Sequence, residues 1–346
     1  MNTCSLLLRR ALGAALILAA APAVHGASLR VVTDIWGGSG SGDIGAGCTV
    51  YGAIPDLQAF FGGGGFRVLG GNTACGYVGL TADQTAAGGA LLSSQTLPPV
   101  ALDASGSSFQ GSVGARAGYG ALGVAASGLQ VGSSGGTSAT VATAAAFFGD
   151  TLTASSPVVA AGSGGFVRYV FAMDGHLDAP VGRGGEASVQ LNLQHAGGPI
   201  WGLGRLTVRA GDPAIFSAID GSASGWVLGV GSAAGAGTFG STVHVPFFGD
   251  VDLPISWGMP WDLRVGLQAL TGHTADASFL SSAQLVDVQL FDALHNRVVD
   301  FSLSAASGTD YLAAVPEPQA WSMWALALLV GALRLARPGA QREANL

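Results

Sequence analysis

Along much of the chain, apolar and polar residues alternate with a period of two. Val189, Leu191, Leu193 and His195 fall on one side of a run whose other side is Ser188, Gln190, Asn192 and Gln194. Leu263, Val265, Leu267 and Ala269 alternate in the same way with Arg264, Gly266 and Gln268. So do Val243, Val245 and Phe247 with Thr242, His244 and Pro246, and Val299, Phe301 and Leu303 with Asp300 and Ser302. Successive side chains of a strand point to opposite faces, so this spacing predicts antiparallel strands with one buried face. Two more apolar runs, Phe166 to Met173 and Gln284 to Phe291, read as strands buried on both faces. Asp174-Gly175, Asp220-Gly221-Ser222 and Ala305 to Gly308 read as the turns between runs. About ten strands with no long helix-period stripe predict an all-β fold, an antiparallel, jelly-roll-like β-sandwich over 106–313.

Residues 27–105 have a different texture. Gly37 to Gly42 and Gly62 to Gly65 are glycine-rich, Cys48 and Cys75 lie around them, and Leu97-Pro98-Pro99-Val100 reads as a junction. This region reads as continuous with the sandwich, with a first strand from Leu29 to Thr33. Phe147-Phe148-Gly149-Asp150 recurs as Phe247-Phe248-Gly249-Asp250. Too few flanking positions are shared for a tandem repeat, and a buried aromatic followed by a Gly-Asp turn at a strand end accounts for both copies.

Both ends of the chain carry address-like patterns. Arg9 and Arg10 precede an apolar run from Ala11 to Val24, and small residues follow. That order predicts a secretory signal peptide over 1–26, cut between Ala23 and Ser28. Cys4 precedes the apolar run, so it is not placed as a lipoprotein cysteine. At the other end, 314–346, come Val315-Pro316-Glu317-Pro318, then 14 uncharged residues from Ala320 to Leu333, then Arg334, Arg337 and Arg342. Proline fixes φ and disfavours helix at the preceding residue, so Pro316-Glu317-Pro318 reads as an extended stub. The uncharged stretch spans roughly 21 Å as a helix, and it approaches a ~30 Å hydrocarbon core if it extends to about residue 336 with Arg334 snorkelling. Trp321 and Trp324 suit one interface and the arginines the cytoplasmic side, predicting a single transmembrane helix at about 320–336.

This tail resembles the PEP-CTERM sorting signal of exported bacterial proteins. The resemblance implies that an exosortase, a membrane-embedded processing enzyme, reads the tail, and that the chain is associated with exopolysaccharide or biofilm matrix. The segments Ala115 to Ser127, Ala144 to Thr153 and Trp257 to Val286 are loosely similar to other proteins bearing this tail. That similarity implies a β-sandwich surface protein and brings no catalytic residues.

Composition narrows the chemistry. The chain has no lysine; all 14 basic residues are arginine. Between 27 and 314, nine arginines face 18 aspartates and Glu186, a formal balance of −10. So acidic a body would repel nucleic acid, whose binding relies on cations that displace counterions. Without lysine there is no P-loop lysine, no Schiff-base lysine and no Ser-x-x-Lys acylation site. Cys48 and Cys75, an even pair in an exported chain, predict a disulfide rather than free thiols or a ligand pair.

The remaining chemical candidates are weak. Gly132-Ser133-Ser134-Gly135-Gly136 matches a nucleophile-elbow pattern, but a strand-like run follows it where a helix is needed. Asp174 and Asp178, flanking His176, and the pair Asp250 and Asp252 offer carboxylates for a structural Ca²⁺. Turns and solvated strand positions explain the same residues, and the expectation is no cofactor. His176, His195, His244, His273 and His295 form no metal-spaced set, and His195 reads as a buried, hydrogen-bonded imidazole. Trp201, Trp226, Trp257 and Trp261 would stack on sugar rings if exposed, but core or turn packing explains them as well.

The resulting expectation is a non-enzymatic protein exported through the inner membrane and transiently anchored by its C-terminal helix. It would then reach the cell surface or extracellular matrix in a structural or adhesive role, contacting polysaccharide. The competing class is a secreted carbohydrate-active hydrolase or carbohydrate-binding module.

Overall fold

A computed structural model describes residues 26–38, 77–102, 106–132, 139–180, 184–198, 200–209, 215–217, 228–229, 236–245 and 253–313. The chain divides into a unit ending at Leu312 and a C-terminal unit of 313–346. The predicted signal peptide, the Cys48/Cys75 pair and the apolar tail lie outside the described residues. Among those described, no helix is long and apolar enough to cross a membrane, and every regular element is a strand.

In chain order the strands are β1 (Ser28–Gly38), β2 (Tyr77–Ala86), β3 (Leu91–Ala101), β4 (Ser108–Gly118), β5 (Ala121–Val131) and β6 (Ala139–Ser155). Next are β7 (Gly164–Asp178), β8 (Glu186–His195), β9 (Ile200–Arg209), β10 (Ile215–Ser217), β11 (Leu228–Gly229) and β12 (Ala236–Val245). Last are β13 (Leu253–Ser256), β14 (Pro260–Gly272), β15 (Ala275–Asp292), β16 (Arg297–Val298) and β17 (Ser302–Ala305). They form two antiparallel sheets. The first has the order β10-β9-β8-β14-β6-β1-β2, with β17 also on β6. The second has the order β11-β12-β7-β15-β5-β4-β3, with β13 on β7 and β16 on β15.

The sheets pack face to face: β1 lies across β3 and β4, β6 across β4 and β5, and β14 across β5 and β15. Alternation decides which residues enter the space between them. Val189, Leu191 and Leu193 of β8 and Leu263, Val265, Leu267 and Ala269 of β14 are buried there. Val31 and Ile35 of β1, Phe148 of β6 and Val124 of β5 meet them. Each fully buried side chain of this size stabilises the fold by about 1.5–3 kcal/mol. Trp36, Val32, Ala145 and Phe147 have the opposite parity and are also buried, on the outward side of the first sheet.

Several local expectations are corrected. Asp174-Gly175 is no turn: β7 runs through it, and a Cβ on Gly175 would meet the Phe279 ring at 2.3 Å and Ser278 O at 2.5 Å. Glycine serves close approach there. Phe147 to Asp150 is no strand end either, but the middle of a 17-residue strand. Gln284 to Phe291 has one core face; register shifts between Phe279 and Ala283 against β5 and between Leu285 and Asp287 against β7 reset its alternation, leaving Val286 40% exposed. Val299 is exposed because the chain passes from β16 in one sheet to β17 in the other at that point. Pro98 and Pro99 lie inside β3, at a register shift where its ladder with β4 is already interrupted, so their missing N–H groups cost little.

Candidate functional site

Two buried polar networks stand out: the first ties one sheet to the other, and the second ties the chain after β17 to β6. In the first, Trp261 of β14 donates its indole N–H to the Tyr169 hydroxyl of β7 at 2.8 Å. Tyr169 Oη lies 3.1 Å from His195 Nδ1 on β8, and His195 Nε2 lies 2.9 Å from the Pro254 carbonyl on β13. A carbonyl only accepts, so Nε2 carries the ring proton; Nδ1 then accepts from the tyrosine, whose oxygen accepts from the indole. Every donor in this chain has one acceptor. Burial holds the His195 imidazole below its ordinary value, opposed by the hydrogen bond to Pro254, and burial pushes the Tyr169 hydroxyl up. The result is a neutral, closed relay. With both His195 nitrogens engaged, it has the chemistry of a cross-sheet bolt rather than of an exposed general base.

The second network surrounds Asp150, on the core-facing parity of β6. Oδ1 accepts from the Thr151 and Ser307 backbone N–H groups at 2.8 and 3.0 Å. Oδ2 accepts the hydroxyls of Ser307 and Tyr311 at 2.5 and 2.7 Å. Tyr311 is 5% exposed and stacks on Phe148, with ring centroids 6.5 Å apart. Its ring also lies against Gly120, in the turn between β4 and β5. Burial first, and the neighbouring Asp150 second, push the Tyr311 hydroxyl above its ordinary value.

The outward side of the first sheet carries amides. Gln190 donates to Asn192 Oδ1 at 2.6 Å, and Arg264 donates to Gln194 Oε1 at 3.2 Å. Gln268 pairs with Gln190 in register. Asn192 Nδ2 and Ser188 Oγ are buried without a hydrogen-bond partner.

The sequence-predicted candidates scatter. Val315, Pro316, Glu317, Pro318, Arg334, Arg337, Arg342, Cys48, Cys75, Asp250, Asp252, Trp226 and Ser133 to Gly136 lie outside the described residues. Only the backbone of Asp174, Trp201 and His244 is described. Asp178 is exposed and pairs in register with Asp276, which meets His176 Nε2 at 3.0 Å. Among the described residues, no three His, Cys, Asp or Glu side chains come together as metal ligands. Trp257 and Trp261 are buried at 0% and 6% exposure, so neither is presented to a sugar. His295 stacks on Phe166, and His273 Nδ1 lies 2.7 Å from Gln130 Oε1.

Sequence reasoning passed over Asp150, Tyr169, Ser307 and Tyr311. The one available signal was a carboxylate inside the otherwise apolar and small run Ala144 to Leu152, which needs buried donors to be tolerated. No protein-family model matches the chain, and no curated protein matches it.

Proposed function

We propose that this is an exported protein, sorted by its C-terminal tail and released to the cell surface or extracellular matrix, where it has a structural or adhesive role in exopolysaccharide or biofilm. In this reading, residues 1–26 are a signal peptide and about 320–336 a transmembrane helix, and an exosortase-type enzyme acts near Val315-Pro316-Glu317-Pro318. The body between them is a jelly-roll-like sandwich whose strands cross repeatedly between sheets.

One observation carries this reading: the order of a Pro-Glu-Pro stub, an uncharged apolar stretch and terminal arginines, paired with an arginine-led apolar run at the other end. A chain with both features is handed across a membrane and held there by a short greasy segment. The body suits the destination: it is acidic, lysine-free and 10% charged. Its two buried polar networks are occupied with joining the sheets and with holding the chain after β17. On the outward side of β8 and β14, the half-buried Gln190, Gln194 and Arg264 have the donor and acceptor chemistry that sugar hydroxyls require.

The test replaces Pro316, Glu317 and Pro318 together by alanine and follows the chain by cell fractionation and intact mass. The expected outcome is an unprocessed chain retained in the membrane fraction. Unchanged processing and release would remove the basis of the proposal. Release of soluble sugars from polysaccharide by the purified protein would replace it with a hydrolase.

A further inference from the structure

The last described residues are bound into the body at one point. β17 pairs with the end of β6, and the Ala306 N–H donates to Thr151 O at 2.9 Å. Gly308 then takes a positive φ of 74°, which turns the chain back over the core. Ser307 and Tyr311 close on Asp150 with three hydrogen bonds, and the Tyr311 ring fills the space between Phe148 of the first sheet and Gly120 of the second. Exposure resumes at once: Leu312 is 41% exposed, and the compact unit ends there.

The tail motif begins close by. Pro316 follows Leu312 by four residues, and four extended residues reach at most about 14 Å. A scissile bond must be drawn out as an extended strand, whereas residues up to Tyr311 are held by buried hydrogen bonds and ring packing.

We propose that the Asp150 clamp fixes the chain into the folded body as far as Tyr311. Tail removal is then confined to bonds beyond Leu312, and the matured protein keeps Tyr311 as a plug between its sheets. The statement about tail removal rests on the sorting reading given above; the clamp itself does not.

The two are separable by experiment. The full chain in detergent is digested with a broad-specificity protease, and the C-terminus of the surviving fragment is read by intact mass. It is expected at or beyond Leu312. In Tyr311→Phe and Ser307→Ala, each with wild-type circular dichroism, residues after β17 are expected to be trimmed about tenfold faster or more, as the loss of a buried hydrogen bond to a carboxylate implies. A wild-type boundary before Ser307, or trimming rates equal to wild type in both variants, overturns the clamp. In producing cells the matured C-terminus is expected beyond Leu312, and a cut at or before Tyr311 also overturns it. A chain left uncut in cells, with the boundary in vitro at or beyond Leu312, supports the clamp and sinks the sorting reading.

Discussion

His195 of the first sheet and Tyr169 of the second are joined by a hydrogen bond of 3.1 Å across the core. The bond requires a neutral imidazole, because Nδ1 must accept. Burial lowers the His195 value below its ordinary 6.5, so the unfolded chain takes up a proton at a higher pH than the folded one. Above about pH 6.5 both states are neutral and the contribution is complete; as pH falls through 6.5 toward the lowered folded value, stability is lost. Urea unfolding at about pH 7.5 and pH 5 should show this slope in the wild type and a flatter one in His195→Phe. Equal slopes would mean that other groups set the acid sensitivity.

Removing the middle of the relay tests its closure. Tyr169→Phe keeps the ring but leaves the Trp261 indole N–H and His195 Nδ1 without their partner. Each stranded buried group costs about 1–3 kcal/mol. We expect a loss of about 2–4 kcal/mol in urea unfolding, more than the small change in volume explains. A loss below about 0.5 kcal/mol would show that water replaces the hydroxyl.

Gly123 and Gly114 make a matched pair. A Cβ on Gly123 would sit 2.1 Å from Leu280 O, where β15 bulges over β5, whereas on Gly114 the nearest atom is Leu280 Cδ2 at 3.6 Å. Gly123→Ala must push strand backbone aside, at an expected cost of about 2–3 kcal/mol. Gly114→Ala should be neutral or stabilising by about 0.5–1 kcal/mol through the lost freedom of the unfolded chain. Thermal midpoints of the two variants, measured side by side, check the contrast. A reversed order would remove the close approach as the reason for glycine at 123.

The cysteine pair gives a covalent test. Cys48 and Cys75 should resist alkylation until reduced, and reduction should lower stability by about 3–4 kcal/mol, as a loop of roughly 28 residues implies. Immediate alkylation of both thiols in protein recovered from producing cells and their medium would refute the bridge.

How much of this was readable from residue order depends on whether strands stay regular. β8 and β14 keep one register against each other, and their core-facing residues recur at every second position, although Ser188, Asn192 and Gln268 on the other side are buried as well. β15 is bulged, and each extra residue reverses the parity downstream, so a one-sided strand imitates a two-sided apolar run. Val299 shows the same effect where the chain changes sheets. Asp150 was hidden for another reason: its donors come from Ser307 and Tyr311, more than 150 residues later, and no local pattern announces such a partner. Gly175 misled because Asp-Gly is a turn signal only where no neighbouring strand crowds it.

Pro98 and Pro99 have a consequence for crowding. They leave two consecutive positions of β3 without a backbone donor, at a register shift against β4. A neighbouring copy that offers its own border there finds no continuous ladder to zip onto. At high concentration, copies of this chain are discouraged from growing into fibrils along that strand.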